Sequence, residues 1–195
     1  MKTPQVTTRK IGRILRFRLK YLEKILQGEK TTTIRKGILQ PLHDEVYLES
    51  DGRIYGEARV KSLRFTKLGE LTDEDAVKDG FEKREDLLNA LRNIYPNIKD
   101  EDWVTIITLD NVTRYSTPIT PDEIHTITTI EPAQIAQLSL AHGIAQEPEH
   151  RAILGKLALG YSIKKVAQEL GLPESRIKEI LRSYTLELRA RGLLK

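Results

Sequence analysis

The chain has 195 residues, 39% hydrophobic and 31% charged, with few aromatics and a formal net charge of +4, which describes a folded globular protein and not a disordered one. It contains no cysteine, which excludes disulfides, thiol nucleophiles and thiolate zinc sites. No apolar run approaches the roughly 20 residues that cross a bilayer, and MKTPQVTTRK at the N-terminus has no apolar stretch behind it, so no secretory signal and a cytoplasmic location are expected.

Charge is distributed unevenly. Residues 1–40 carry a net +9, residues 41–150 a net −11, and residues 151–195 a net +6. Two basic ends around an acidic centre point to two surfaces for polyanions.

RILRFRL over 13–19 alternates apolar and basic residues and predicts a half-buried strand. YLEKILQG then places Leu22, Ile25 and Leu26 on one helical face, with Gly28 as the stop. TTTIR is β-branched and therefore extended. Period two puts Thr31, Thr33 and Arg35 on one face and Lys30, Thr32 and Ile34 on the other, with Ile34 toward the core. DEVYLESDGRIYGEARVKSLRF predicts a hairpin around Asp51-Gly52. TDEDAVKDGF and KREDLLNALRNIYP predict helices, the first capped by Thr72 and the second ended at Pro96. WVTIITLD is a further strand. The fold class expected is α+β, a small barrel with inserted helices over residues 1–118.

YSTPITPDEIHTITTIEP is rich in Pro and Thr and predicts an extended linker, so residues 119–146 are expected to hold a linker and a connecting helix. Residues 147–195 are expected to be all-α. In SIKKVAQELGLPESRIKEILRSY, Val166, Ala167 and Leu170 share one face, Gly171 makes a turn, and Pro173 sits where a first helical residue tolerates a missing N–H. Ile177, Ile180 and Leu181 continue the inward face. The segment resembles the helix-turn-helix of sigma-factor-like and response-regulator DNA-binding domains, with HRAILGKLALG as the supporting helix. In such units the early residues of the second helix enter the major groove. That places Ser175, Arg176 and Lys178 near bases or phosphates, Arg182 on phosphate, and Lys164 and Lys165 along the backbone. The same three helices could instead bind protein or simply pack.

The stretch ILQGEKTTTIRKG sets three hydroxyls between cations beside a glycine, a composition that can cradle a phosphate or a polar base edge. Gly28 permits a close approach of backbone to ligand. The glycine spacing is not that of a P-loop. The stretch resembles the signature of ASCH domains, PUA-related β-barrel modules associated with RNA and its modification. The motif falls on Gly28, Lys30, Thr33 and Arg35, and with LRFRLKYLEKIL, DGF and EDLLNALRNIYP the resemblance covers about residues 10–110.

Small ASCH proteins with this Lys-Thr-x-Thr-x-Arg arrangement hydrolyse the amide of N4-acetylcytidine. The resemblance implies a catalytic Lys30 and Thr33 with Asp79 as the acid, Asp standing where those hydrolases have Glu and offset by one residue. Asp79 reads equally well as a turn residue before Gly80. A lysine at a strand edge is expected at the surface, so Lys30→Ala is expected to leave folding intact.

Two functions are thus expected of the cleft lined by Arg18, Lys30, Thr33 and Arg35. One is binding of RNA or a modified nucleotide, with DNA or structured RNA on the helix-turn-helix. The other is hydrolysis of an acylated nucleoside or of RNA. The two diverge at Asp79, because an enzyme needs that carboxylate within reach of Lys30 and Thr33. No cofactor is implied, and His43, His125, His142 and His150 lack metal-ligand spacing. Trp103 is expected in the core, with base stacking as the alternative.

Overall fold

The structure, a computed structural model, describes residues 8–194, apart from the side chains of 125–128. Residues 1–7 of the N-terminal segment and the side chain of His125 therefore lie outside the described residues. The chain divides into two compact units, up to Pro118 and from Ile119 onward.

In the first unit the order is β1 (Thr8–Ile11), β2 (Ile14–Arg16), α1 (Leu19–Leu26), β3 (Thr32–Lys36), β4 (Ile38–Pro41), β5 (Glu45–Ser50), β6 (Arg53–Lys67), α2 (Asp73–Lys78), α3 (Arg84–Ile94) and β7 (Trp103–Ile119). The hairpin β5–β6 turns on Asp51 and Gly52, both at positive φ (50° and 78°), as a two-residue primed turn requires. Thr72 caps α2 with a reciprocal capping box to Asp75.

Five strands form one sheet in the order β2-β5-β6-β7-β3. The expected closed barrel is not formed: β2 and β3 are the free edges of this sheet, and β1 pairs with β4 in a separate parallel ladder. Each of those strands continues an edge strand after a break, at residues 12–13 and at Gly37, whose φ of 91° interrupts the extended backbone. The chain turns there, while the Gly37 amide still donates to the Trp103 carbonyl at 2.7 Å.

β7 is the organising strand. Its Val104 and Ile106 enter a core with Ile34, Leu87 and Leu91, while Ile107 and Leu109 enter a second core with Leu22, Ile25 and Leu48. Alternate residues of one strand thus fix helices α2 and α3 against one face and α1 against the other. Gly56 of β6 lies so close to β7 that an added Cβ would sit 2.2 Å from the Thr113 carbonyl oxygen.

The second unit contains α4 (Pro121–Thr129), α5 (Pro132–Ala141), α6 (Pro148–Ala158), α7 (Ile163–Leu170) and α8 (Glu174–Ala190). Its core gathers Ile135, Ile153, Leu157, Val166, Ile177, Ile180 and Leu188. The segment expected to be an extended linker is ordered structure instead. β7 runs on to Ile119, and Thr120 caps α4 in a capping box with Glu123, with Pro121 in the first turn. Thr and Pro there serve a strand end and a helix start, positions both residues favour. Gly171 ends α7 in the left-handed conformation, and Pro173 is the N-cap of α8 rather than its first helical residue. Among the described residues no helix is long and apolar enough to cross a membrane.

Candidate functional site

A cavity of about 250 Å³ opens in the first unit between β2, α1, β3 and α3. Its position follows from how α1 stops. Gly28 takes φ 80° after the helix, and the amides of Glu29 and Lys30 both bond back to the Lys24 carbonyl. The Thr31 amide then donates to the Lys78 carbonyl at 2.9 Å. This winding turns Lys30 inward before the strand begins at Thr32. The alternation that separates Lys30 from Thr33 and Arg35 therefore does not apply, and all three line the one cavity.

Lys30 and Asp79 form a buried ion pair, their side chains 4% and 6% exposed. The Lys30 ammonium also donates to the Asp79 carbonyl oxygen at 2.8 Å, and the Thr32 hydroxyl donates to the Asp79 carboxylate at 3.4 Å. Asp79 is the C-cap of α2, so the turn-residue reading and the site reading are both true of it. Gly80, at φ 83°, follows it; an added Cβ there would sit 3.3 Å from Lys30 Cβ and 3.2 Å from Lys24 Cδ. The Lys24 ammonium donates to the Gly80 carbonyl at 2.6 Å.

Burial dominates the electrostatics of the pair. Desolvation pulls the Lys30 ammonium below its ordinary range, outweighing the opposing attraction of Asp79, and Arg35 and Lys24 add to the lowering. Desolvation likewise pushes the Asp79 carboxyl up, against the pull of Lys30, Thr32 and Arg35. Both groups are thus shifted toward their neutral forms.

Arg35 donates to the Arg16 carbonyl at 2.6 Å and lies 4.8 Å over the Phe17 ring. Tyr21 and Phe81 meet at 5.9 Å between ring centroids, and the Lys30 ammonium lies 5.9 Å over Tyr21. Arg18 is exposed on the rim. Thr33 is buried and lines the cavity.

Some expectations change. Lys30 is not a surface lysine, so Lys30→Ala is not a neutral change for folding. Gly28 does not line the cavity; it serves the left-handed turn that delivers Lys30. Trp103 is 38% exposed at the start of β7, with the Lys67 ammonium 6.0 Å over its ring. Phe17, Tyr21, Phe81, Tyr95 and the acceptor-seeking Thr32 are site residues that the pattern did not single out. Phe17 and Tyr21 flank the turn into α1, but their side of the helix is visible only once the cavity is.

In the second unit, Lys164 and Lys165 are exposed, and the Lys165 ammonium lies 3.9 Å over the Tyr161 ring. Ser175 is half-buried. Arg176 is held by Glu149 at 3.2 Å and Glu179 at 3.4 Å. Lys178 is half-buried and engaged. Arg182 is 7% exposed, which corrects its assignment to phosphate: it lies one position beyond Leu181, inside the inward face of α8.

No protein-family model matches the chain, and no curated protein does. Among solved structures, the crystal structure of ASCH from Zymomonas mobilis is similar at 16% identity and a TM-score of 0.46, over 60% of this chain and 79% of that one. The ASCH domain from Lactobacillus crispatus is similar at 14% identity and 0.43, over 47% and 70%. The N-terminal domain of Staphylothermus marinus McrB is similar at 13% identity and 0.38, over 59% and 78%.

Proposed function

We propose that the cavity of the first unit is the active site of an amidohydrolase acting on an acylated nucleoside of the N4-acetylcytidine kind. The reading joins the ASCH-like motif GEKTTTIR to one observation, the buried Lys30–Asp79 pair in the cavity that Thr33 lines. A lysine, a hydroxyl and a carboxylate gathered at one cavity is an arrangement that acid–base and acyl-transfer chemistry uses.

In this reading the neutral Lys30 amine takes the Thr33 hydroxyl proton as the oxygen attacks the acyl carbon. The Arg35 guanidinium supports the developing oxyanion. The carbon–nitrogen bond breaks as Lys30 returns its proton to the departing exocyclic amine. Water then cleaves the Thr33 ester, releasing acetate, with Asp79 holding Lys30 in place and relaying the proton. If Thr33 instead orients water, no ester forms. The test is turnover of N4-acetylcytidine by the full chain, with Lys30→Met, Thr33→Val and Asp79→Asn each expected to lower kcat by about 10² or more. Wild-type turnover absent, with RNA bound in the same cavity, returns the site to the binding reading. RNA cleaved in its place makes it a ribonuclease.

A second proposal concerns the C-terminal unit, as a helix-turn-helix that contacts DNA or structured RNA. It rests on the tight turn at Gly171 and on exposed Lys164 and Lys165 at the start of α7. Arg176 must leave Glu149 and Glu179 to take part.

A further inference from the structure

We propose that the cavity selects a nucleoside monophosphate over the bare nucleoside, with Arg18 on the rim as the phosphate-reading residue; this rests on the hydrolase reading. The cavity, at about 250 Å³, lies below the roughly 300–1,000 Å³ of pockets for drug-sized ligands. A single nucleoside suits a space of that size better than a longer ligand, and in this reading its phosphate lies toward the exposed Arg18.

The charges of the lining are unequal there. Lys30 and Asp79 cancel each other inside. Arg16 is matched by Glu49 at 2.8 Å. Arg35 bonds only a carbonyl and a ring face, and the Arg18 side chain has no hydrogen bond or ion pair among the described residues. Among the described lining residues Asp51, from the β5–β6 turn, is the one carboxylate besides Asp79, so the opening keeps a net positive charge. A fork of guanidinium donors beside an enclosed base is the arrangement that takes a phosphate bidentately. Asp51 accepts from hydroxyls, so a ribose is tolerated beside it and a second phosphate is repelled.

The experiment uses the full chain and measures kcat/KM for N4-acetylcytidine and for its 5′-monophosphate, together with calorimetric binding of cytidine and cytidine 5′-monophosphate. The expected result is about a tenfold preference for the phosphorylated compound in both measurements. Arg18→Gln is expected to bring the ratio close to one, and Arg18→Lys to restore part of it. Lys61→Gln, which removes the same charge away from the lining, is expected to keep the ratio. Equal constants for both compounds, or a ratio untouched by Arg18→Gln, overturns the proposal while leaving the hydrolase reading intact. Turnover of neither substrate with a binding preference that depends on Arg18 does the reverse. Binding of neither cytidine nor its monophosphate overturns the rim assignment outright.

Discussion

Two basic segments of this chain look alike in composition and fold in opposite ways. In residues 24–36 the crucial cation goes inside, where Lys30 meets a carboxylate of equal burial. Along α8 the second basic segment is quieted at the surface, with Arg176 held between two glutamates and Arg182 packed inward. Net charge therefore says that polyanions are attracted, and little about which cation meets them. What separates the segments is desolvation: it shifts the Lys30 and Asp79 equilibria, and it leaves the exposed Arg176 pairs with an effect of the order of a surface ion pair.

The sharpest way to break this contrast is to remove one member of the buried pair. Lys30→Met or Asp79→Leu is expected to lower unfolding stability by about 3–5 kcal/mol, because each strands a buried charge, whereas the double variant recovers most of it. Chemical denaturation checks the magnitude, and pH checks the cause. In Lys30→Met the Asp79 carboxyl is held above its unfolded value of about 3.8, so stability is greatest below that value and is lost as pH rises through the folded one. In Asp79→Leu the Lys30 ammonium is held below 10.5, so stability grows with pH toward that value. Slopes of equal sign in the two variants would refute the desolvation account.

Next in size is Gly56→Ala. The 2.2 Å approach to the Thr113 carbonyl leaves no room for a methyl group, and a loss of about 1–3 kcal/mol is expected on denaturation. A smaller effect separates chemistry from packing. Because Arg35 helps lower the Lys30 pKa, kcat/KM for the acylated nucleoside should rise with pH through a value below 10.5, and Arg35→Gln should move that rise to higher pH. Smallest of all, Arg176→Ala is expected to cost no more than about 1 kcal/mol of stability. If the second unit grips duplex DNA through α7, Lys165→Gln should reduce the salt dependence of binding by about one unit of log–log slope.

Local elements were legible where one short-range rule decides them. The Asp51-Gly52 hairpin, the Thr72 cap and the left-handed Gly171 each follow from a dihedral or a single hydrogen bond. The α+β character follows from periodicity, but the opening of the sheet at Gly37 depends on which strands pair across long separations. The segment before α4 misled because Thr and Pro suit a helix start as well as a linker. At the site, the motif named Lys30, Thr33 and Arg35, and Asp79 was reachable through DGF. Strand alternation could not foresee that Lys30 lies before the strand, wound inward by the turn at Gly28. Burial of Arg182 was equally hidden, since a cation beside an apolar face reads as solvated until the packing is known.

Four hydrogen bonds fasten residues 78–80 to the segment that carries the lysine: Thr31 to Lys78, Lys30 and Thr32 to Asp79, and Lys24 to Gly80. The end of α2 is thus a structural wall of the cavity and part of its chemistry at once. Any transient fraying of that six-residue helix dismantles the acid–base pair together with the wall. The Thr31 amide should therefore exchange its hydrogen in step with the last amides of α2, making this wall of the site a single opening unit.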